Sequence, residues 1–128
     1  MENITAGGVG LRHDNIQVTD WPEYPHRQIL LDTSRRFYIV TFVKEILDAM
    51  SYAKLNVLHL HLTDFGRFSI ESKLFPELNV GYPSAGYPPG KGDGRYWTQQ
   101  EVRELVSYAR LRGVRLVPEF EMPQHSRC

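Results

Sequence analysis

The chain has 128 residues, 41% of them hydrophobic, a size that suits one compact unit and leaves little room for a second domain. Fifteen basic residues balance fifteen acidic ones, so no strong field draws the chain to nucleic acid or an anionic membrane, and a neutral ligand fits that balance better. The single cysteine, Cys128, excludes an intrachain disulfide, no apolar run approaches the roughly 20 residues of a membrane span, and the first ten residues lack the marks of a signal peptide.

Residues 1–26 combine Gly7, Gly8 and Gly10 with Trp21, Pro22, Tyr24 and Pro25, a mixture that favours extended and turning backbone, and they read as a lead-in segment. Gln28 to Asp32 is a short apolar run closed by polar residues, as expected of a buried strand. From Thr41 to Ala53 the apolar residues Phe42, Val43, Ile46, Leu47, Ala49, Met50 and Ala53 recur at helical spacing, which predicts an amphipathic helix. Val57 to Leu62, nearly continuous in apolar character but for His59 and His61, suits a strand covered on both faces. The next helix opens on the capping box Thr98-Gln99-Gln100-Glu101, turns Val102, Leu105, Val106 and Ala109 to one side, and stops at Gly113. Val114 to Phe120 then reads as another buried strand, with Pro118 expected near its end.

Three strands alternating with two helices argue for an α/β fold with a parallel sheet, either doubly wound or part of a closed (β/α)8 TIM barrel. Two details favour the barrel. Polar residues fall just after the strands: Asp32 with Arg35, Thr63 with Asp64, and Glu121 with His125, where barrels build active sites. The connection from Thr63 to Trp97, about 35 residues, is far longer than the usual handful for a strand-to-helix loop and lies on the same side.

These three places could carry chemistry. Asp32 and Ser34 are compatible with a turn and solvated arginines, or Arg35 could present its planar fork of donors to two adjacent sugar hydroxyls, which a lysine would do less well. His59 and His61, at i and i+2, share a strand face, but a third metal ligand of suitable spacing is not evident, so they read as hydrogen-bonded structural residues. Asp64 could accept from a substrate hydroxyl. Glu119 and Glu121 also share a face, yet adjacent carboxyls repel and lack the separation needed to flank a scissile bond, so Glu121 is paired with His125 as the group that orients it. The loop aromatics Phe65, Phe68, Tyr82, Tyr87, Tyr96 and Trp97 are expected mostly to pack.

At these places together the sequence resembles glycoside hydrolase family 20. The similarity rests on Leu30-Leu31-Asp32-Thr33-Ser34-Arg35, on the stretch from Asp48 to Asp64, and on Tyr108-Ala109-Arg110-Leu111-Arg112-Gly113-Val114-Arg115 followed by Pro118-Glu119 and Met122-Pro123. It covers roughly Arg27 to His125. The resemblance implies the amino-terminal portion, about three β/α units, of a (β/α)8 barrel that hydrolyses terminal non-reducing N-acetylglucosamine or N-acetylgalactosamine. It implies that Arg35 and Asp64 bind substrate, that Glu121, His125 and His61 support the catalytic acid from behind, and that Glu77 is structural. The reaction implied is substrate-assisted retaining hydrolysis, in which the acetamido oxygen attacks its own anomeric carbon, one carboxylate orients the acetamido group and a neighbouring glutamic acid protonates the leaving oxygen. The resemblance places that Asp-Glu pair beyond Cys128, so no catalytic residue is assigned within the chain.

The resemblance implies neither a metal nor an organic cofactor. The partner expected is a glycan or glycoconjugate ending in an N-acetylhexosamine; a homodimer of the parent enzyme is compatible with it, and the family is commonly lysosomal or secreted. The chain departs from the family pattern at Gln28 for glycine, Leu60 for tryptophan, Phe65 for a second aspartate, Glu121 for aspartate and Gln124 for glycine. Half a barrel of about 250 residues would expose two sheet edges, so the chain alone is expected to be unstable or to associate. The alternative reading is a non-catalytic carbohydrate- or partner-binding fragment that keeps Arg35 and Asp64.

Overall fold

A computed structural model describes residues 15, 17–64, 66–79 and 95–125. In chain order the elements are β1 (Gln28–Asp32), α1 (Val40–Tyr52), β2 (Val57–His61), β3 (Thr63–Asp64), β4 (Arg67–Phe68), a 3₁₀ turn at Pro76–Asn79, α2 (Gln99–Leu111) and β5 (Arg115–Glu119). β1, β2 and β5 form one parallel sheet in that order, in register from Gln28, Val57 and Arg115 to Asp32, His61 and Glu119. The expected α/β fold with a parallel sheet is therefore present. The chain before β1 is tied to the sheet by Asn56, whose side chain accepts from the Arg27 amide (2.9 Å) and donates to the Pro25 carbonyl (2.8 Å).

Both helices end by the same device. Lys54 after α1 and Gly113 after α2 take left-handed backbone, φ 57° and 68°, and the next residue's N–H reaches back to the helix: Leu55 to Met50 and Val114 to Ala109. The chain is thereby delivered into the following strand in two residues or fewer. α2 starts on the expected capping box, with Thr98 accepting from the Glu101 amide and Glu101 accepting from the Thr98 amide at 2.7 Å. The helices meet through Asp48, which accepts from the Tyr108 hydroxyl (2.8 Å) and from Arg112, whose guanidinium stacks on the Tyr108 ring. Arg112 and then Tyr108 hold the Asp48 carboxyl below the usual carboxylate range.

The core lies between one sheet face and the helices: Val43, Leu47 and Met50 from α1, Leu58, Leu60 and Leu62 from β2 and its end, and Leu105 and Ala109 from α2, with Trp97. β2, at the centre, is covered as expected. β1 and β5 are not the buried strands that their apolar runs suggested; Leu30 is 55% exposed, and Val117 and Pro118 are also exposed. The reason is positional. Among the described residues each pairs along one edge only, and the face opposite the helices is covered only near the carboxyl end of β2, where Asp64, Glu121 and His125 lie against His61. Likewise Val106 faces solvent although helical spacing put it with the core.

The stretch after β2 is not a bare loop. Thr63–Asp64 and Arg67–Phe68 form a short antiparallel hairpin, and Ile70 bridges to Trp97. Trp97 is buried in the core, where its indole N–H donates to the Tyr38 carbonyl at 2.8 Å, and Phe68 stacks near Phe120, so these two aromatics pack as expected. Tyr96 is exposed, and Glu77 is exposed on the 3₁₀ turn. Phe65, Tyr82, Tyr87, Cys128 and residues 1–10 lie outside the described residues.

Candidate active site

The side chains of a strand alternate between faces, and in this sheet Leu58 and Leu60 take the helix side. His59 and His61 therefore take the other, together with their register partners Leu30 and Val117, Asp32 and Glu119. The last row, Asp32, His61 and Glu119, sits at the carboxyl ends of three parallel strands. Asp64, Glu121 and His125 follow a few residues later and close over it.

Arg35 is positioned by two carboxylates. Asp32 accepts the backbone N–H groups of Ser34 and Arg35 at 3.0 Å each and the Arg35 Nη1 at 2.6 Å, so it serves both as a turn acceptor and as a partner for the guanidinium. Asp64 Oδ2 takes Arg35 Nη2 at 2.6 Å. The loop beneath is tied down on both sides: Thr33 donates to the His61 carbonyl, Ser34 to that of Arg67, and Ser69 to that of Thr33. Arg35 nonetheless keeps 59% of its side chain exposed, while Asp64 keeps 5%. The hydrogen bond that Arg35 donates to Asp32, above all, strengthens the guanidinium's hold on its proton.

A chain of imidazoles and carboxylates runs across the sheet. Gln28 Nε2 meets His59 Nδ1 at 3.2 Å, and His59 Nε2 meets Glu119 Oε2 at 2.8 Å. That same oxygen lies 3.2 Å from His61 Nδ1, whose Nε2 points to Asp64 at 3.4 Å. His125 Nδ1 lies 3.2 Å from Asp64 Oδ2, but its Nε2 is 3.7 Å from Glu121, beyond hydrogen-bond reach. Glu121 and His125 thus lie within ion-pair distance of each other, while Asp64, three residues past β2, is the nearer carboxylate. Two groups could hold a metal ion, namely His61 with Asp64 and His125, and His61 with Glu119 and Glu121.

The adjacent carboxyls set aside for repulsion do come together. A hydrogen bond with Glu121 is the largest influence on Glu119 and lowers its pKa; burial opposes this and His61 reinforces it. For His61, burial is the largest single influence and disfavours charge, but hydrogen bonds from its ring to Glu119 and Asp64, with the charges of Asp32 and Glu119, leave its pKa raised. The groups facing it are Asp32 from β1, His59 on its own strand, Asp64, Glu119, Glu121 and His125.

A pH profile of stability follows. A raised His61 pKa contributes stability that is complete below its unfolded value of about 6.5 and is lost as pH rises through the folded value. A lowered Glu119 pKa contributes stability present above about 4.5 and lost as pH falls. The thermal midpoint is expected to be highest between roughly pH 5 and 6.5, and His61→Asn is expected to flatten the alkaline limb. A His61→Asn profile parallel to that of the parent chain would show that this imidazole carries no linked proton.

Of the residues singled out in the sequence, the structure brings Arg35, Asp64, His61, Glu121 and His125 into one cluster. Sequence reasoning did not find the places of Glu119 and His59 in it. Their signal was the shared strand face, but the register joining β2 to β5 is a tertiary fact.

The polar row and the exposed arginine held by two carboxylates lie at the carboxyl ends of parallel strands, the end of the sheet at which α/β proteins build their ligand sites. Residues 24–128 match the family model described as the catalytic domain of glycosyl hydrolase family 20, and the chain belongs to that family. It is 43% identical over 110 residues to beta-hexosaminidase subunit alpha of Rattus norvegicus, spanning 86% of this chain and 20% of that protein. It is 40% identical over 111 residues to the chitooligosaccharidolytic beta-N-acetylglucosaminidase of Bombyx mori, spanning 87% and 17%. Among solved structures it superposes on the beta-N-acetylhexosaminidase of Bacteroides fragilis with a TM-score of 0.74 and 34% identity, covering 84% of this chain and 22% of that one. The chain spans about a fifth of the length of the curated relatives it matches.

Proposed function

We propose that residues 27–128 form the amino-terminal portion, about three β/α units, of the (β/α)8 catalytic barrel of a β-N-acetylhexosaminidase-like glycoside hydrolase, with residues 1–26 as its lead-in. In this reading the chain supplies the sugar-holding side of the site, for a glycan ending in N-acetylglucosamine or N-acetylgalactosamine. Arg35 and Asp64 bind sugar hydroxyls, with His61, Glu121 and His125 behind them. The observation that carries the reading is the Arg35 guanidinium, exposed yet held by Asp32 and Asp64 at 2.6 Å each, a pre-oriented fork suited to vicinal hydroxyls. The acid that protonates the leaving oxygen and the carboxylate that orients the acetamido group would come from outside this chain.

A second reading, a carbohydrate-binding fragment without catalysis, is favoured by the same geometry, because Glu119 and Asp64 are already engaged by histidines and arginine. One experiment addresses both. The purified chain is titrated with N-acetylglucosamine by NMR and incubated with a chromogenic β-N-acetylglucosaminide. Binding is expected, weakened about 10- to 100-fold by Arg35→Ala, as for a lost charged hydrogen-bond donor, and no turnover is expected. Sugar binding indifferent to Arg35→Ala would refute the assignment of this site. Turnover lost in Glu119→Gln or Glu121→Gln would place the acid within the chain.

A further inference from the structure

We propose that His61, Glu119 and Glu121 form a binding site for one divalent transition-metal ion of the zinc class. The donors are separated as such an ion requires. His61 Nδ1 lies 3.2 Å from Glu119 Oε2 and 3.7 Å from Glu121 Oε1, and one ligand atom from each of the three residues falls within 4.8 Å of the others. Bonds of about 2.0–2.2 Å in tetrahedral geometry put ligand atoms roughly 3.3–3.5 Å apart, so closure needs only small side-chain adjustments. One imidazole and two carboxylates match the N/O preference of zinc and leave a fourth position for water.

The surrounding groups orient these donors as an outer shell does. Asp64 faces the opposite ring nitrogen of His61 at 3.4 Å; accepting its N–H leaves the Nδ1 lone pair toward the glutamates. Glu119 is steadied by His59 at 2.8 Å, and His59 in turn by Gln28. The competing set, His61 with Asp64 and His125, shares His61 and is disfavoured because a metal there would meet the permanent guanidinium cation on Asp64 Oδ2 at 2.6 Å, whereas Glu119 Oε2 carries only the His59 imidazole at 2.8 Å. Binding would displace the proton that His61 and the glutamate pair otherwise hold among them, so protons are released as metal enters.

The test is a calorimetric titration of the metal-free 128-residue chain with Zn²⁺ alone, repeated on Glu121→Gln, Glu119→Gln and the surface control Glu77→Gln, each checked by circular dichroism. One ion per chain is expected, with affinity weakened at least about tenfold in the two site variants and unchanged in Glu77→Gln. A measurement on the unsubstituted chain makes the outcome independent of how the variants fold: ¹⁵N spectra of the histidine rings should show the metal-induced shift at His61 Nδ1. No binding at ~100 µM Zn²⁺, a concentration that would reveal even a weak site, overturns the proposal. So does binding that survives Glu121→Gln, or a metal shift on His59 or His125 without one on His61.

Discussion

Trp97→Ala is expected to cost about 3–5 kcal/mol of folding stability, as truncation of a fully buried tryptophan does. Trp97 is 1% exposed, and its surroundings show why so much rests on it. Its backbone exchanges hydrogen bonds with Ser69 and Glu71, its indole N–H holds the Tyr38 carbonyl, and its ring packs against Phe37. It also stands one residue before the Thr98 cap, so it seats the start of α2 on the sheet. A complete domain of this length has roughly 6–19 kcal/mol of stability at the usual 0.05–0.15 per residue, and a chain with open sheet edges is expected to fall below that range. Urea titration of Trp97→Ala should therefore show a midpoint moved far toward zero denaturant, with Trp97→Phe between the two. A loss under about 1 kcal/mol would mean that the cavity collapses or that the indole is not a core element.

Asp64→Asn is expected to have the second large effect, and on two readouts at once. The carboxylate is 5% exposed and lies against three cationic or protonatable groups, Arg35 at 2.6 Å, His125 at 3.2 Å and His61 at 3.4 Å. Asparagine keeps the shape and removes the charge that holds them together. Arg35 is 59% exposed, so solvent screens its loss and the cost is about 1–2 kcal/mol, carried mainly by the hydrogen bonds to the buried carboxylate, while the released Arg35 would no longer present its donors in a fixed orientation. Stability should fall by that order in denaturant titration, and any N-acetylglucosamine binding should weaken along with it. Asp64→Asn with unchanged stability would show that Arg35 and the histidines are satisfied by solvent.

The elements with a strong period could be read from the sequence. α1 is found one residue from where its apolar spacing placed it, α2 begins on its capping box, and Gly113 stops it. β2 stands at Val57–His61, as its apolar run suggested. Burial of β1 and β5 could not be read, because a run of apolar residues records what a strand can cover and not whether a neighbour is present to cover it. The hairpin from Thr63 to Phe68 was missed for a different reason: strands of two residues are too short for any alternation to register. Within the site, Arg35, Asp64 and His125 stood out as polar residues following apolar runs. The contact of Glu119 with both His59 and His61 depends on the parallel register of β2 and β5, which no local pattern encodes.

The strand order β1, β2, β5 is also the order in which the strands leave the ribosome. Each strand of this sheet pairs with the sheet's previously synthesised strand, after α1 in one case and the β3–β4 hairpin and α2 in the other. No strand has to be inserted between two that are already paired. Synthesis can therefore extend the sheet by accretion at one growing edge, with β2 acquiring its second neighbour only when β5 emerges. The polar row follows the same schedule: Asp32, Arg35, His61 and Asp64 are in place first, and Glu119 arrives last to join the histidines of the finished strand.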